Sequence, residues 1–267
     1  MLRKPAVAGR FYPSDKKTLQ SDLTSYLGAV QADLSARGAI VPHAGYMFSG
    51  HVAGAVYSRL RVPSRVILLC PNHTGLGASL SIMSEGSWEM PLGRVRIDTA
   101  LAKTLMRRCH LLTEDASAHQ FEHSLEVQLP FLFHLRSDFQ FVPIAIGTSG
   151  YASLERLGKG IEASIQELGE EVLVIASSDM NHYESDDTTR AKDQKAIACI
   201  LALEPKSLYD TVKSESISMC GCGPAVAMMH GIQPLSSRKA ELIKYATSGD
   251  VSGNRKEVVG YAGILVH

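Results

Sequence analysis

Three of the ten histidines in this chain stand where a buried strand would end. Ala39-Ile-Val-Pro-His43 is apolar and closes on an imidazole, and Val66-Ile-Leu-Leu-Cys-Pro-Asn-His73 does the same. Val172 to Ala176 is a third uninterrupted apolar run, followed at once by Ser177-Ser-Asp179-Met-Asn-His182. Short runs rich in Val and Ile read as strands buried on both faces. In parallel sheets the chemistry sits just beyond the carboxyl edge. Three strands delivering imidazoles to one edge predict a shared polar pocket suited to a divalent metal or to acid–base work. Asp179, three residues before His182, either caps the following turn or orients His182 and raises its basicity.

Two further constellations carry chemistry. Cys220-Gly-Cys222 lacks the paired Cys-x-x-Cys spacing of a structural zinc site. Its glycines allow close backbone approach, and a helix starting near Pro224 would lower a nearby thiol's pKa. His119-Gln-Phe-Glu122-His123 matches the inverted zincin pattern His-x-x-Glu-His. On a helix both histidines would share a face, but Phe121 and Leu125 are expected to face the core and no third ligand follows. His119 is therefore expected to lie outside any metal site. Glu122 and His123 either project into the pocket or pair on the surface.

The elements that must position these groups follow from periodicity. His43 and His73 are 30 residues apart, about one βαβ unit. A right-handed crossover leaves both strands parallel and both histidines on one edge, ~5–10 Å apart according to whether the strands are neighbours. Ser49-Gly50 is read as the cap of the crossover helix, running through Leu60. Helical spacing is also read at 15–27, 99–108, 119–135, 154–168, 188–203 and 205–213, and from Ala225 behind Pro224. Strands are read at 139–146, 241–246 and 258–266, with short strands around a turn within 79–97.

Bulk composition narrows the function classes. Residues 1–267 suit a single α/β domain, with 45% hydrophobic and 20% charged residues. Twenty-seven basic residues balance 27 acidic ones, which leaves no electrostatic footprint for nucleic acid or an anionic membrane. No apolar run approaches the ~20 residues of a membrane span. The N-terminus has no apolar segment of signal-peptide type. Five cysteines form no evident disulfide framework, so a cytoplasmic setting is expected.

Taken together, the motifs resemble the Memo-like family, distantly related in fold to class III extradiol (LigB-type) ring-cleaving dioxygenases. The resemblance rests on Ala6-Val-Ala-Gly-Arg-Phe-Tyr-Pro13, Pro42-His-Ala-Gly-Tyr46, Pro71-Asn-His73, Glu122-His-Ser-Leu-Glu126, Ser177-Ser-Asp-Met-Asn-His182, Cys220-Gly and Tyr261-Ala-Gly-Ile-Leu-Val-His267, in order along almost the whole chain. It implies a three-layer α/β/α fold with a mixed, largely parallel central sheet. It implies His43, His73 and Cys220 as metal ligands, with iron or copper as the metal and zinc as a further choice. Asp179 and His182 would line the same pocket, His182 matching the dioxygenases' acid–base histidine. Those enzymes carry a glutamate where this chain has Cys220, and two imidazoles with a thiolate suit softer or redox-active metals. Animal members bind signalling peptides, and bacterial and archaeal ones accompany radical-SAM partners.

The leading expectation is a metal-dependent, dioxygenase-like oxidoreductase acting on a small substrate. His182 and Asp179 would move protons, Phe11, Tyr46 and Phe48 would wall the pocket, and Glu122 and His123 would contact the ligand. The rivals are a peptide- or ligand-binding module without turnover, and a metallohydrolase at the same site.

Overall fold

The computed structural model describes residues 1–234 and 238–267. Its centre is four parallel strands in the spatial order Gln140–Ile146, Arg65–Pro71, Val172–Ser177, Gly38–Val41. Beyond the last of these, Val258–Val266 runs antiparallel and in turn pairs with Ala240–Thr247 and with His182–Glu184. On the other side, Gly93–Ile97 extends the parallel set beside Gln140–Ile146. The sheet is thus mixed and largely parallel at its core.

Side-chain alternation explains why the central strands read as continuous apolar runs. Ile67, Leu69, Val172, Val174 and Ala176 enter one apolar cluster with helices Thr99–Arg108, Tyr151–Leu168, Asp186–Leu201, Pro205–Ser214 and Cys222–Gly231. Val66, Leu68, Cys70, Leu173 and Ile175 enter the opposite cluster with helices Lys16–Leu27, Tyr46–Arg59 and Leu129–Leu135. A strand covered on both faces has no polar side to offer. The result is the three-layer α/β/α architecture. No helix among the described residues is long and apolar enough to cross a membrane.

The registers fix where the histidines fall. Val41 pairs with Ser177 and Leu69 with Ala176, so the His43, His73 and central strands end at one edge. The His43 and His73 strands are not neighbours, because Val172–Ser177 lies between them. Two strand spacings put the backbones ~10 Å apart, yet the imidazole centroids are 5.2 Å apart. The two rings close the gap over the small side chain of Ser177, which the His43 ring touches.

Two local expectations differ from what forms. The crossover helix begins at Tyr46, directly after Gly45, and Ser49 lies inside it with its hydroxyl donating to the Ala44 carbonyl at 3.0 Å. The stretch 119–135 is not one helix. A 3₁₀ turn at Ser117–His119, a short helix His123–Glu126 and a helix Leu129–Leu135 replace it. Glu122 is the cap that starts the second, accepting from the Ser124 N–H at 3.0 Å, and Pro130 sits in the first turn of the third. His119 and His123 therefore share no helical face. Leu125 is buried as expected, but Phe121 is 58% exposed.

Candidate metal centre

One atom from each of His43, His73 and His123 can be chosen so that all three lie within 4.8 Å of one another. The rings pack as a group, with His73 stacked on His123 at 4.7 Å and His43 edge-on to His123 at 5.5 Å. They line a cavity of about 650 Å³ together with Phe11, Asp179, His182, Tyr183, Cys220 and Tyr261.

Hydrogen bonding assigns the tautomers. Ser177 Oγ donates to the Ser124 carbonyl at 2.7 Å, so toward His43 Nδ1, 3.0 Å away, it can only accept. Gln128 Nε2 donates to the same oxygen at 2.9 Å and is itself held by Tyr57 through Oε1. His43 therefore carries its proton on Nδ1 and presents the Nε2 lone pair toward Cys220 Sγ, 3.2 Å away. His73 Nδ1 lies 3.0 Å from Glu122 Oε1, and the same carboxylate accepts the His73 backbone N–H at 2.7 Å. His182 Nδ1 donates to the Ser218 carbonyl at 2.9 Å. Among the described residues, Nε2 of His73 and of His182 has no hydrogen-bond partner. Imidazoles whose Nδ1–H is held by a carboxylate or carbonyl, with Nε2 left basic, form the arrangement that metal-ligating histidines use.

Electrostatics disfavour protonation of His43, His123 and His182. Burial, then the neighbouring imidazoles, drives the His43 pKa well below its ordinary value. Burial lowers His123 to about 4, against the pull of Glu122. Burial likewise lowers His182. Glu122 is fully buried, and burial alone would raise it, but hydrogen bonds from His73 and Ser124 hold it at about 2. Unprotonated His43 and His123 near an ionised Glu122 are the states a cation requires. The donor set thus fits a divalent or redox metal.

The expected site residues fall into distinct places. His43, His73, His182, Asp179, Cys220, His123 and Phe11 converge on the cavity. His123 joins His43 and His73 in the cluster, and Cys220, expected as the third ligand, also lines the cavity with Sγ 3.2 Å from His43 Nε2. His123 opens a helix immediately after Glu122 and stacks on His73, whereas Cys220 reaches His43 from the opposite chain segment. Burial, then Asp179, raises the Cys220 thiol, and burial pushes Cys222 to about 12. The expected lowering by the helix start is overridden by desolvation. Asp179 does not reach His182 by any hydrogen bond in the structure. It accepts the His43 backbone N–H at 2.8 Å, and burial raises it to about 7.

Tyr46, Phe48 and Glu122 do not line the cavity. Tyr46 is buried beneath it, its hydroxyl donating to the Val127 carbonyl at 2.7 Å. Phe48 packs against the Val52, Ala246 and Tyr261 cluster. Glu122 lies behind His73 and holds that ring. His119 is fully buried beside Trp88 and stands outside the cluster.

Other residues matter that pattern reading passes over. Glu126 receives Arg3, the N–H groups of Ala6 and Val7, and the Tyr12 hydroxyl, the last at 2.6 Å. Arg3 also binds the carbonyls of His119 and Glu122 at 2.8 Å each. One buried ion pair thus ties the N-terminal segment to the turn that carries Glu122 and His123. The only advance signal was that both segments are ordered motifs.

Fold and site together define an α/β/α protein with a histidine-rich metal-site candidate at the carboxyl edge of its sheet. The sequence profile of the Memo-like protein family matches residues 3–265, and the chain belongs to that family. A MEMO1 family protein of Pyrobaculum arsenaticum is 42% identical over 100% of this chain and 99% of its own length. One from Methanopyrus kandleri is 40% identical, with 99% of each chain covered. An uncharacterized Escherichia coli K12 protein of known crystal structure shares the fold, with a TM-score of 0.55 at 12% identity, covering 85% of this chain and 98% of the other.

Proposed function

We propose that this protein is a metal-dependent oxidoreductase of dioxygenase-like type that acts on a small substrate. The observation that carries the reading is the set of committed Nδ1–H groups, which leaves basic nitrogens of His43 and His73 at one cavity. These two would hold iron or copper, with His123 or Cys220 as the third donor. Such a metal supplies one-electron redox chemistry and an open position for a donor atom of the substrate.

The chain's own residues do the rest. His182 offers Nε2 as a proton acceptor, its tautomer held by Ser218. Asp179, whose pKa burial raises to about 7, fixes the His43 segment by accepting its backbone N–H. Phe11, Tyr183, Val259 and Tyr261 supply the apolar wall. Among the described residues, no lysine or arginine lines this cavity, which weighs against a module that recognises phosphate or carboxylate groups by ion pairing.

Three histidines also form the donor set of hydrolytic zinc sites, so metallohydrolysis is the second reading. Metal analysis of anaerobically purified protein, followed by reloading with Fe(II), Cu(I) or Zn(II), separates them. Iron or copper at one equivalent is expected, with loss in His43→Ala and His73→Ala. Loss in His123→Ala assigns a three-histidine site, and loss in Cys220→Ser assigns a thiolate site. Zinc alone at one equivalent moves the conclusion to hydrolysis. Parent-like binding in both His43→Ala and His73→Ala refutes the site.

A further inference from the structure

His182 does not orient itself. Its backbone N–H donates to Ser218 Oγ at 2.7 Å and its ring Nδ1–H to the Ser218 carbonyl at 2.9 Å. Ser218 belongs to the segment that runs into Cys220, between helices Pro205–Ser214 and Cys222–Gly231. That segment has no regular structure of its own, so its placement depends on what holds it.

Asn181 holds it. The residue is fully buried. Its Oδ1 accepts from both the N–H and the hydroxyl of Ser218, each at 3.1 Å. Its Nδ2 donates to Glu184 Oε2 at 2.6 Å and to Thr189 Oγ1 at 3.3 Å. The amide cannot be flipped, because Glu184 is an ionised acceptor beside Lys192, with Lys192 and Asn181 holding its pKa down, and the Ser218 N–H can only donate. The main chain of Asn181 is pinned as well, its N–H to Asp193 Oδ1 and its carbonyl to the Gly260 N–H, both at 2.9 Å. A second tie runs from the Gly221 N–H to Ser178 Oγ at 3.1 Å. Cys220 therefore lies between two anchor points, Asn181 on one side and Ser178 on the other.

We propose that Asn181 is a positioning residue whose buried carboxamide oxygen fixes Ser218 and, through it, the Nδ1–H tautomer of His182 that turns Nε2 to the cavity. This deepens the function proposed above and rests on it for the use made of His182. The hydrogen-bond chain itself is independent of any metal.

The experiment reads the tautomer directly, by long-range proton–nitrogen correlation on the ¹⁵N-labelled, metal-free full chain. The His182 signals are assigned by their loss in His182→Gln. The parent is expected to show His182 protonated on Nδ1. In Asn181→Ala the Nε2–H form should rise by roughly fivefold to tenfold, the bias one ordinary hydrogen bond provides, while His43 and His73 keep their signals. Ser218→Ala keeps the carbonyl but loses the hydroxyl contacts, and should shift the same way. Should Asn181→Ala fail to fold, Ser218→Ala alone carries the test. The paired exchange Asn181→Asp with Glu184→Gln swaps carboxylate and amide, keeps an acceptor facing Ser218, and should restore the parent tautomer. An unchanged His182 tautomer in Ser218→Ala and in any folded Asn181→Ala overturns the proposal. So does a paired exchange that leaves the tautomer mixed. Metal stoichiometry of the parent is measured separately, and its absence would overturn the oxidoreductase reading while leaving the tautomer result standing.

Discussion

Glu122→Gln is the sharpest perturbation of the metal centre, because it changes one charge and no volume. The carboxylate accepts four donors: the His73 N–H and Nδ1–H, and the Ser124 N–H and hydroxyl. Glutamine keeps one oxygen and turns an NH₂ toward the other donors. If the oxygen stays on His73 Nδ1 and Ser124, the amide hydrogens meet the His73 N–H head-on. If it flips, the imidazole loses its acceptor, and the Nδ1–H preference that exposes Nε2 goes with it. Carboxylates that orient a ligating histidine contribute ~10–100-fold to metal affinity, or ~1.4–2.8 kcal/mol at ~1.4 kcal/mol per decade. A loss in that range is expected, read by competition with a chromogenic chelator at fixed pH. Glu126→Gln is the matched control: equally buried and four residues on, it binds Arg3, Ala6, Val7 and Tyr12 but no histidine of the cluster. It should lower thermal stability and, having no hydrogen bond to a cluster histidine to lose, reduce affinity less than Glu122→Gln does. Parent-like affinity in folded Glu122→Gln would refute the idea that this carboxylate tunes His73 as a ligand.

Further outcomes follow from single contacts. A Cβ on Gly221 would lie 2.3 Å from Ser178 Cβ and 2.5 Å from the Ser177 carbonyl oxygen, so Gly221→Ala should cost about 1–3 kcal/mol by overpacking; a denaturant midpoint equal to the parent's would show that the segment gives way. Burial raises Asp193 to about 7 from its ordinary 3.8, so the fold favours its protonated form. Its contribution to stability is complete below about 3.8 and is lost as pH rises through about 7. Asp193→Asn should flatten the fall in unfolding free energy across that window, and an unchanged pH slope in urea titrations counts against it. Phe121→Ser should change stability by no more than about 0.5 kcal/mol, whereas Leu125→Ala should cost about 2–5 kcal/mol; comparable losses would place Phe121 back in the core.

The parallel core and its edge were readable from sequence because burial on both faces leaves an unbroken apolar run, and polarity switches abruptly where the strand ends. Val172 to His182 shows this within one segment. The 119–135 region misled for a related reason. Phe121, Leu125, Leu129 and Leu132 have helical spacing, but the segment is broken by a side-chain cap at Glu122 and by Pro130. Spacing records which residues are apolar; it does not record which carboxylate is drawn inward by a histidine 49 positions away. Glu122 is drawn inward by His73, and that capture starts a new helix and leaves Phe121 in solvent.

The same non-locality governs the metal set. His43 and His73 could be named because each follows closely on its own strand, and His182 because it follows the polar switch that ends Val172–Ser177, although it opens the short strand His182–Glu184. His123 rests on no strand, and its place depends on the stack with His73 and on the Arg3–Glu126 pair that anchors the turn. What makes these nitrogens usable was less legible still: the acceptors of the three Nδ1–H groups are Ser177, Glu122 and the carbonyl of Ser218, none of which is marked by residue type alone. A histidine at a strand end is only a ring at the right depth. It becomes a ligand or a base when a second residue, distant in sequence, takes up its other nitrogen. In this chain the edge of the sheet supplies the rings, and the segments that pack above it decide which lone pairs reach the cavity.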